Sequence, residues 1–367
     1  MEHLVFHLVG QQLTFKKRYS MSYNKYYIQK RQVSYDNGLT WSDVIPMVTR
    51  TGDYIGTYQT LADCNGTVDY SGHYFTLVSK SDNNSISFTR NTIQYSLDDG
   101  STWSSLTTGH SVTVDYNETV MFRASGLPVN ATFGIGSFAS TGLYEARGNA
   151  MSLKYGENFS GQTAIDVSQF KRLFYNSSGL TSAEYLVLPS TSLARECYVQ
   201  MFYNCTRLTS APKLPATTLA IYCYENMFYG CTQLVSAPTL SATTLADNCY
   251  ADMFNNCSGL TSAPELPATT LADGCYGQMF YGCRSLTTAP ELPAATLTDY
   301  CYYRMFAACT SLNYIKCLAT DISASSCTNR WLSEVSSTGT FIKASTMTSW
   351  TTGNNGIPSN WTVVDNS

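Results

Sequence analysis

Thirteen cysteines are the first residues with chemical potential. Ten of them fall on two registers that each step by 26 residues: Cys197, Cys223, Cys249, Cys275 and Cys301, then Cys205, Cys231, Cys257, Cys283 and Cys309. Thiols so placed can bind metal, pair, or fill a core. Zinc wants close Cys and His pairs, but no C-x-x-C occurs, and His3, His7, His73 and His110 all lie outside the periodic stretch. No metal or cofactor is expected. Two cysteines eight apart on one helical face are separated by roughly 11 to 12 Å, beyond the reach of a disulfide. Reduced, buried thiols forming a core ladder are therefore favoured over a disulfide framework. Among carboxylates, Glu265 and Glu291 hold the same position in successive units and are the candidate pair for glycoside hydrolysis. The equivalent residues are Lys213 and Thr239, so this column drifts while the core columns do not, as a solvated face does. No catalytic residue is assigned, and the chain is expected not to be an enzyme. The same drift makes Lys213, Thr239, Glu265 and Glu291 candidate partner contacts, with Ile221, Asp247, Asp273 and Asp299 at the following turn. Tyr198, Tyr224, Tyr250, Tyr276 and Tyr302 each follow a first-register cysteine. Packing in a column explains them; as an aromatic rim, Tyr224, Tyr250 and Tyr276 are also a candidate sugar platform.

Those residues need elements to hold them. One unit reads CYGQMFYGCRSLTTAPELPAATLTDY, and its neighbours keep Cys-Tyr, Met-Phe, Cys, Leu, Ala-Pro, Leu and Thr-Leu in register. Cys275, Met279 and Cys283, at i, i+4 and i+8, predict one face of a short helical turn, with Leu286 leading onward. LTTAPEL is too short and Pro-marked for a helix and predicts a brief strand parallel to its counterpart in the next coil. The period lies within the range of leucine-rich repeats. About six such coils are expected over 159–335. Ser177 replaces a cysteine at one end, and Trp331-Leu332 replaces Met-Phe at the other.

The MF-x-x-C-x-x-L core resembles the BspA-like leucine-rich repeats of Bacteroidetes surface proteins and of phages infecting those bacteria. That resemblance covers about half of the chain and implies a solenoid that presents a surface. The N-terminal stretches and the GIPSNWTV tail are similar to pieces that accompany such repeats in virion proteins. By the same resemblance, the chain is expected to be a phage fibre or decoration subunit on the virion surface, made in the host cytoplasm. Its partners would be a host-surface glycan or protein, other virion proteins and further copies of itself. A bacterial cell-surface or secreted adhesin is the alternative; a carbohydrate-active enzyme is disfavoured.

Before the repeat, KYYIQKRQVSYDNGLTWSDV and ISFTRNTIQYSLDDGSTWSSL show short alternating strands with Asp-Gly turns. The whole is read as mainly β with short helices. Its expected parts are a small β module at 1–75, a β-sandwich-like module at 76–158, the solenoid at 159–335 and a cap at 336–367. Ser34 to Trp41 and Ser96 to Trp103 both match S-x-D-x-G-x-T-W, which resembles the Asp-box hairpins of sialidases. Physically this is a tight turn in which Asp accepts backbone donors and Trp packs beneath, a structural use.

Charged residues make up only 13% of the chain and the net charge is -4, so the basic footprint of a nucleic-acid binder is missing. No run approaches the roughly 18 to 20 apolar residues of a membrane helix. The N-terminus MEHLVFHLVGQQLTFKK shows no signal-peptide pattern, so neither anchor nor export signal is expected.

Overall fold

The computed structural model describes residues 69–366 apart from 125 and 349, together with four strands within the first 68 residues. The chain divides into two compact units, Met1–Asp69 and Tyr70–Ser367. It is mainly β, with several sheets and one short α-helix, Ser152–Tyr155, among the described residues. In the first unit, β1 (His3–Leu8), β2 (Gln11–Lys17), β3 (Arg31–Ser34) and β4 (Ser42–Val44) form an antiparallel sheet in that order. Cys64 and most of the first Asp-box lie outside the described residues.

In the second unit several strands up to residue 149 alternate as their sequences predict, while the one at Phe75–Ser79 is buried throughout. The strands are β5 (Phe75–Ser79), β6 (Asn84–Phe88), β7 (Ile93–Ser96), β8 (Ser104–Leu106), β9 (Ser111–Val114), β10 (Thr119–Arg123), β11 (Phe138–Ser140) and β12 (Tyr144–Asn149). Val112 and Val114 of β9, and Val120 and Phe122 of β10, turn inward while their neighbours do not. A three-stranded sheet, β11-β6-β9, meets a six-stranded sheet that runs β12-β5-β10-β7-β8 after an outer strand, β13 (Leu180–Val187). Phe138 on the smaller sheet packs on Phe75 and Phe122 of the larger, at 5.0 and 4.9 Å between ring centroids. β13 belongs to the first periodic coil and pairs in parallel with β12, with register shifts at Tyr144/Glu145 and Glu145/Arg147, so backbone pairing continues across residue 158.

The expected helix at Cys275 to Cys283 is not formed. That stretch, like its equivalents, is a train of hydrogen-bonded turns in which every fourth residue has positive φ, as at Asn248 (54°), Asp252 (55°) and Asn256 (59°). The left-handed residue re-aims the backbone, so donors alternate. Cys249, Met253 and Cys257 donate three residues back, to Ala246, Tyr250 and Phe254. Tyr250, Asp252, Phe254 and Asn256 donate onward to Cys275, Gly277, Met279 and Tyr281 of the next coil. A helix would have kept most of those amides for itself. The turn period of four preserves the common face that the spacing predicted, and Cys, Met and Cys all point inward, fully buried.

The expected parallel strands are also shorter than predicted. Coil meets coil through single parallel bridges, such as Thr218 to Thr244 to Thr270 and Ser236 to Ser262. Pro212, Pro238, Pro264 and Pro290 recur beside them and carry no amide donor. Full ladders appear only at the ends, in β13 and in a parallel sheet of β14 (Tyr314–Cys317), β15 (Thr340–Ala344) and β16 (Thr362–Asn366).

Two aromatic columns run through the core. Phe174, Phe202, Phe228, Phe254, Phe280 and Phe306 stack at 5.2 to 5.7 Å. Tyr198, Tyr224, Tyr250, Tyr276 and Tyr302 stack at 5.7 to 6.3 Å and end on Trp331, which in turn stacks on Trp350.

Candidate functional site

The second Asp-box closes the turn between β7 and β8 and is occupied with its own geometry. Asp98 accepts from the Ser96 hydroxyl (2.7 Å), the Thr102 amide (2.9 Å) and the Thr102 hydroxyl (2.6 Å). Trp103 Nε1 donates to Gly100 O at 2.9 Å. The Thr102 bonds, and then that of Ser96, hold the Asp98 carboxyl down at about 2. Every polar group of the motif is used inside the turn.

The cysteines are free and buried at all twelve described positions. Burial pushes the thiols up, to about 12 for Cys197, Cys249, Cys257, Cys301, Cys309 and Cys317. A thiol so shifted is a poor nucleophile near neutrality. Among the described residues, no three His, Cys, Asp or Glu side chains stand together as a metal site.

Tyr224, Tyr250 and Tyr276 correct the expectation of a sugar platform. They stack as a column, but inside the core, with at most 2% of their surface exposed. Each ring is sandwiched between those of neighbouring coils and has no face left for a ligand.

The drifting columns are at the surface. Lys213, Thr239, Glu265 and Glu291 are all exposed, and Glu291 pairs with Lys316 one coil on at 3.1 Å. Ile221, Asp247, Asp273 and Asp299 are exposed too. Two of those aspartates also work locally: Asp247 accepts from the Asp273 amide at 3.3 Å, and Asp299 from the Ser325 amide at 2.7 Å.

No family model, curated protein or solved structure matches this chain.

The geometry adds a cluster that column reading missed. Tyr175, Tyr203 and Tyr229 form a second, partly exposed stack at 4.9 and 4.6 Å. Asn256 Nδ2 donates to the Tyr229 hydroxyl at 3.3 Å and to Asn255 Oδ1 at 2.8 Å. Asn255 Nδ2 donates to Asp252 at 2.6 Å, and Gln278 Nε2 reaches both Asp252 oxygens at 3.1 and 3.2 Å. Burial raises the Asp252 carboxyl against those two hydrogen bonds. Glu225 rises to about 7, first through burial and then through the charge of Asp252, with Lys171 opposing. Lys171 itself is bound to Glu196 at 2.7 Å. Glu225 and Asp252 hold adjacent, not equivalent, positions of the unit, so no alignment of the repeats pairs them. The signal available was the Tyr that follows Met-Phe in MFYNC and MFYGC. Carboxylates, amides and phenols set beside aromatic rings offer donors and acceptors suited to a polyhydroxylated ligand.

Proposed function

We propose that the chain is a non-enzymatic presenting protein, a leucine-rich-repeat solenoid of the BspA-like kind. It serves as a fibre or decoration subunit on a phage virion and contacts a glycan or protein of the host surface. One observation carries this reading. The buried positions that recur from unit to unit are consumed by stacking and by bonds between coils, whereas the exposed column Lys213, Thr239, Glu265 and Glu291 changes in charge and size, and Ile221 stands where later units have Asp247, Asp273 and Asp299. A constant interior with a variable exterior suits recognition better than turnover. The partly exposed Tyr203 and Tyr229, with Glu225 and Asp252 near them, add contacts of the type a saccharide uses.

The test has two parts. Gold-labelled antibody against the purified protein should decorate phage particles by electron microscopy; label confined to bacterial envelopes would replace this reading with that of a cell-surface adhesin. Fluorescently labelled protein should bind host cells, and joint replacement of Lys213, Glu265 and Glu291 by Ala, or of Tyr203 and Tyr229 by Ala, should weaken binding at least tenfold. Unchanged binding by both variants would refute the assigned surface. Glu225 near 7 beside Asp252 favours one second reading, a carbohydrate-active enzyme with Glu225 as proton donor. Release of reducing ends from host capsule polysaccharide, abolished by Glu225→Gln, would establish it.

A further inference from the structure

Lys80 follows β5 directly and lies between polar side chains carried by the strands on either side of it. β5 sits between β10 and β12 in the larger sheet. On one flank, the turn that leads into β10 brings up Asn117. Its amide donates to Ser79 O at 2.9 Å, and its φ of 62° is a left-handed conformation that Asn tolerates. On the other flank, Glu145 of β12 is the register partner of Val78, two residues before Lys80 and on the same face. Lys80 Nζ donates to Asn117 Oδ1 at 3.4 Å and stands 3.3 Å from Glu145 Oε1. Arg147 Nη2 holds the other carboxylate oxygen, Oε2, at 2.9 Å, so Oε1 is left to Lys80.

An amine with a carboxamide on one side and a carboxylate on the other is a nucleophile set between an electrophile and a proton carrier. The carbon open to attack, Asn117 Cγ, is about 1.2 Å from the oxygen that Lys80 already touches. Lys154, Lys171, Lys316 and Lys343 meet carboxylates instead, and an ionised carboxylate does not accept an amine. The side chains of Lys80 and Glu145 are only 25% and 26% exposed, which keeps most water from the pair. Asn117 is exposed, which gives ammonia a way out.

We propose that Lys80 and Asn117 become joined by an isopeptide bond that the folded chain forms by itself, with Glu145 as the proton carrier. Glu145 Oε1 takes a proton from the Lys80 ammonium, and the freed amine attacks Asn117 Cγ. The carbonyl electron pair moves to Oδ1. Glu145 then gives its proton to Nδ2, the Cγ–Nδ2 bond breaks as the carbonyl re-forms, and ammonia departs. The remaining surplus proton of Nζ returns to Glu145 and leaves with the ammonia as ammonium. Lys ammonium and Asn carboxamide have become a secondary amide and ammonium, with no change of oxidation state. The bond ties the end of β5 to the turn between β9 and β10, so a pull on the chain ahead of β5 reaches β10 without opening the hydrogen bonds between them. This inference does not depend on the ligand or on the virion.

Peptide mapping of the purified full chain by mass spectrometry, after incubation near neutral pH, tests it. Trypsin should fail at Lys80, and the segments that carry Lys80 and Asn117 should appear as one species lighter than their sum by one ammonia. Lys80→Arg keeps a cation beside Glu145 but forms no bond, so its segments should separate at full mass. Glu145→Gln keeps both reacting groups and should slow bond formation at least tenfold. Separate segments of full mass from the wild-type chain overturn the proposal, and so does Asn117 recovered as Asp, the product of attack by water. A bond that forms in Glu145→Gln at the wild-type rate overturns the role given to Glu145.

Discussion

Cys257 donates its thiol proton to the carbonyl of Phe228, on the preceding coil, at 3.0 Å. Cys231 does the same to Phe202, Cys283 to Phe254 and Cys309 to Phe280, at 3.1, 3.1 and 2.9 Å. Cys205 bonds Phe174 at 3.1 Å. The second cysteine register is therefore more than a row of small apolar groups: each thiol gives a second hydrogen bond to a carbonyl that already accepts an amide of its own turn, as Phe228 O does from Cys231 N–H. Where Ser177 takes the place of a cysteine, its hydroxyl is bonded to Tyr144 at 2.5 Å.

Substitution at Cys257 should separate volume from donor. Cys257→Ser keeps a proton for Phe228 O and should cost about 1 kcal/mol in urea unfolding. Cys257→Val fills the space but leaves Phe228 O with only its bond from the Cys231 amide, and with the added methyl should cost about 2 kcal/mol. Equal losses would show that the thiol bond contributes nothing.

Alkaline pH should unfold the protein well below pH 12. The folded thiols of Cys197, Cys249, Cys257, Cys301, Cys309 and Cys317 are raised to about 12, against an ordinary value of 9. A raised folded value gives stability that is complete below pH 9 and lost as pH climbs toward 12. The slope is about 1.4 kcal/mol per unit for each thiol, so six together exceed the reserve of an ordinary domain within one to two units. Circular dichroism against pH, with thiol absorbance followed in parallel, should show one cooperative transition near pH 10 to 11. Independent titration of the thiols before unfolding would contradict it.

Glu225→Gln should stabilise the protein at pH 8 and make little difference at pH 4. The wild-type carboxyl is raised from 4.5 to about 7, so its neutral form supports the fold, fully below 4.5, and that support is lost as pH rises through 7. Thermal melts across this window should show a wild-type decline worth about 1 to 3 kcal/mol that the Gln variant lacks.

Gly282→Ala should lower stability by about 2 kcal/mol or more. Gly282 has a φ of 71°, and an added Cβ would lie 2.6 Å from Asn256 Oδ1 on the preceding coil. Asn256→Ala removes that oxygen, so the double variant should recover part of the loss, read from urea midpoints. No recovery would assign the whole penalty to the left-handed backbone.

Much of the core was legible in the sequence. Residues recurring every 26 positions had to meet their equivalents, and Cys249, Met253, Phe254 and Cys257 are all fully buried. Their backbone was not legible, because spacings of i, i+4 and i+8 suit a helix and a chain of four-residue turns alike. The positive φ at Gln200, Glu225's neighbour Asn226 and Arg304 is imposed by bonds to the next coil, not by local preference. Tyr250 looked like a rim because the residue after a core position can turn either way; in a four-residue turn it turns inward. Glu225 and Asp252 meet only in three dimensions.

Along the turn flank, the amides that leave a coil all point onward. Tyr198, Gln200, Phe202 and Asn204 donate to Cys223, Glu225, Met227 and Tyr229, and Tyr224, Asn226, Phe228 and Gly230 donate in the same sense to the next coil. Peptide dipoles on that flank therefore add along the stack axis. Acceptors face backward from the first coil, and the preceding loop meets them with donors: Ile135 N–H to Gln169 O, Phe138 N–H to Leu173 O and the Ser137 hydroxyl to Arg172 O. At the far end, Asn355 Oδ1 accepts from the Arg330 amide at 2.9 Å. The turn flank thus has an electrical sense, and its two ends call for unlike groups, donors at Ile135, Ser137 and Phe138 and an acceptor at Asn355.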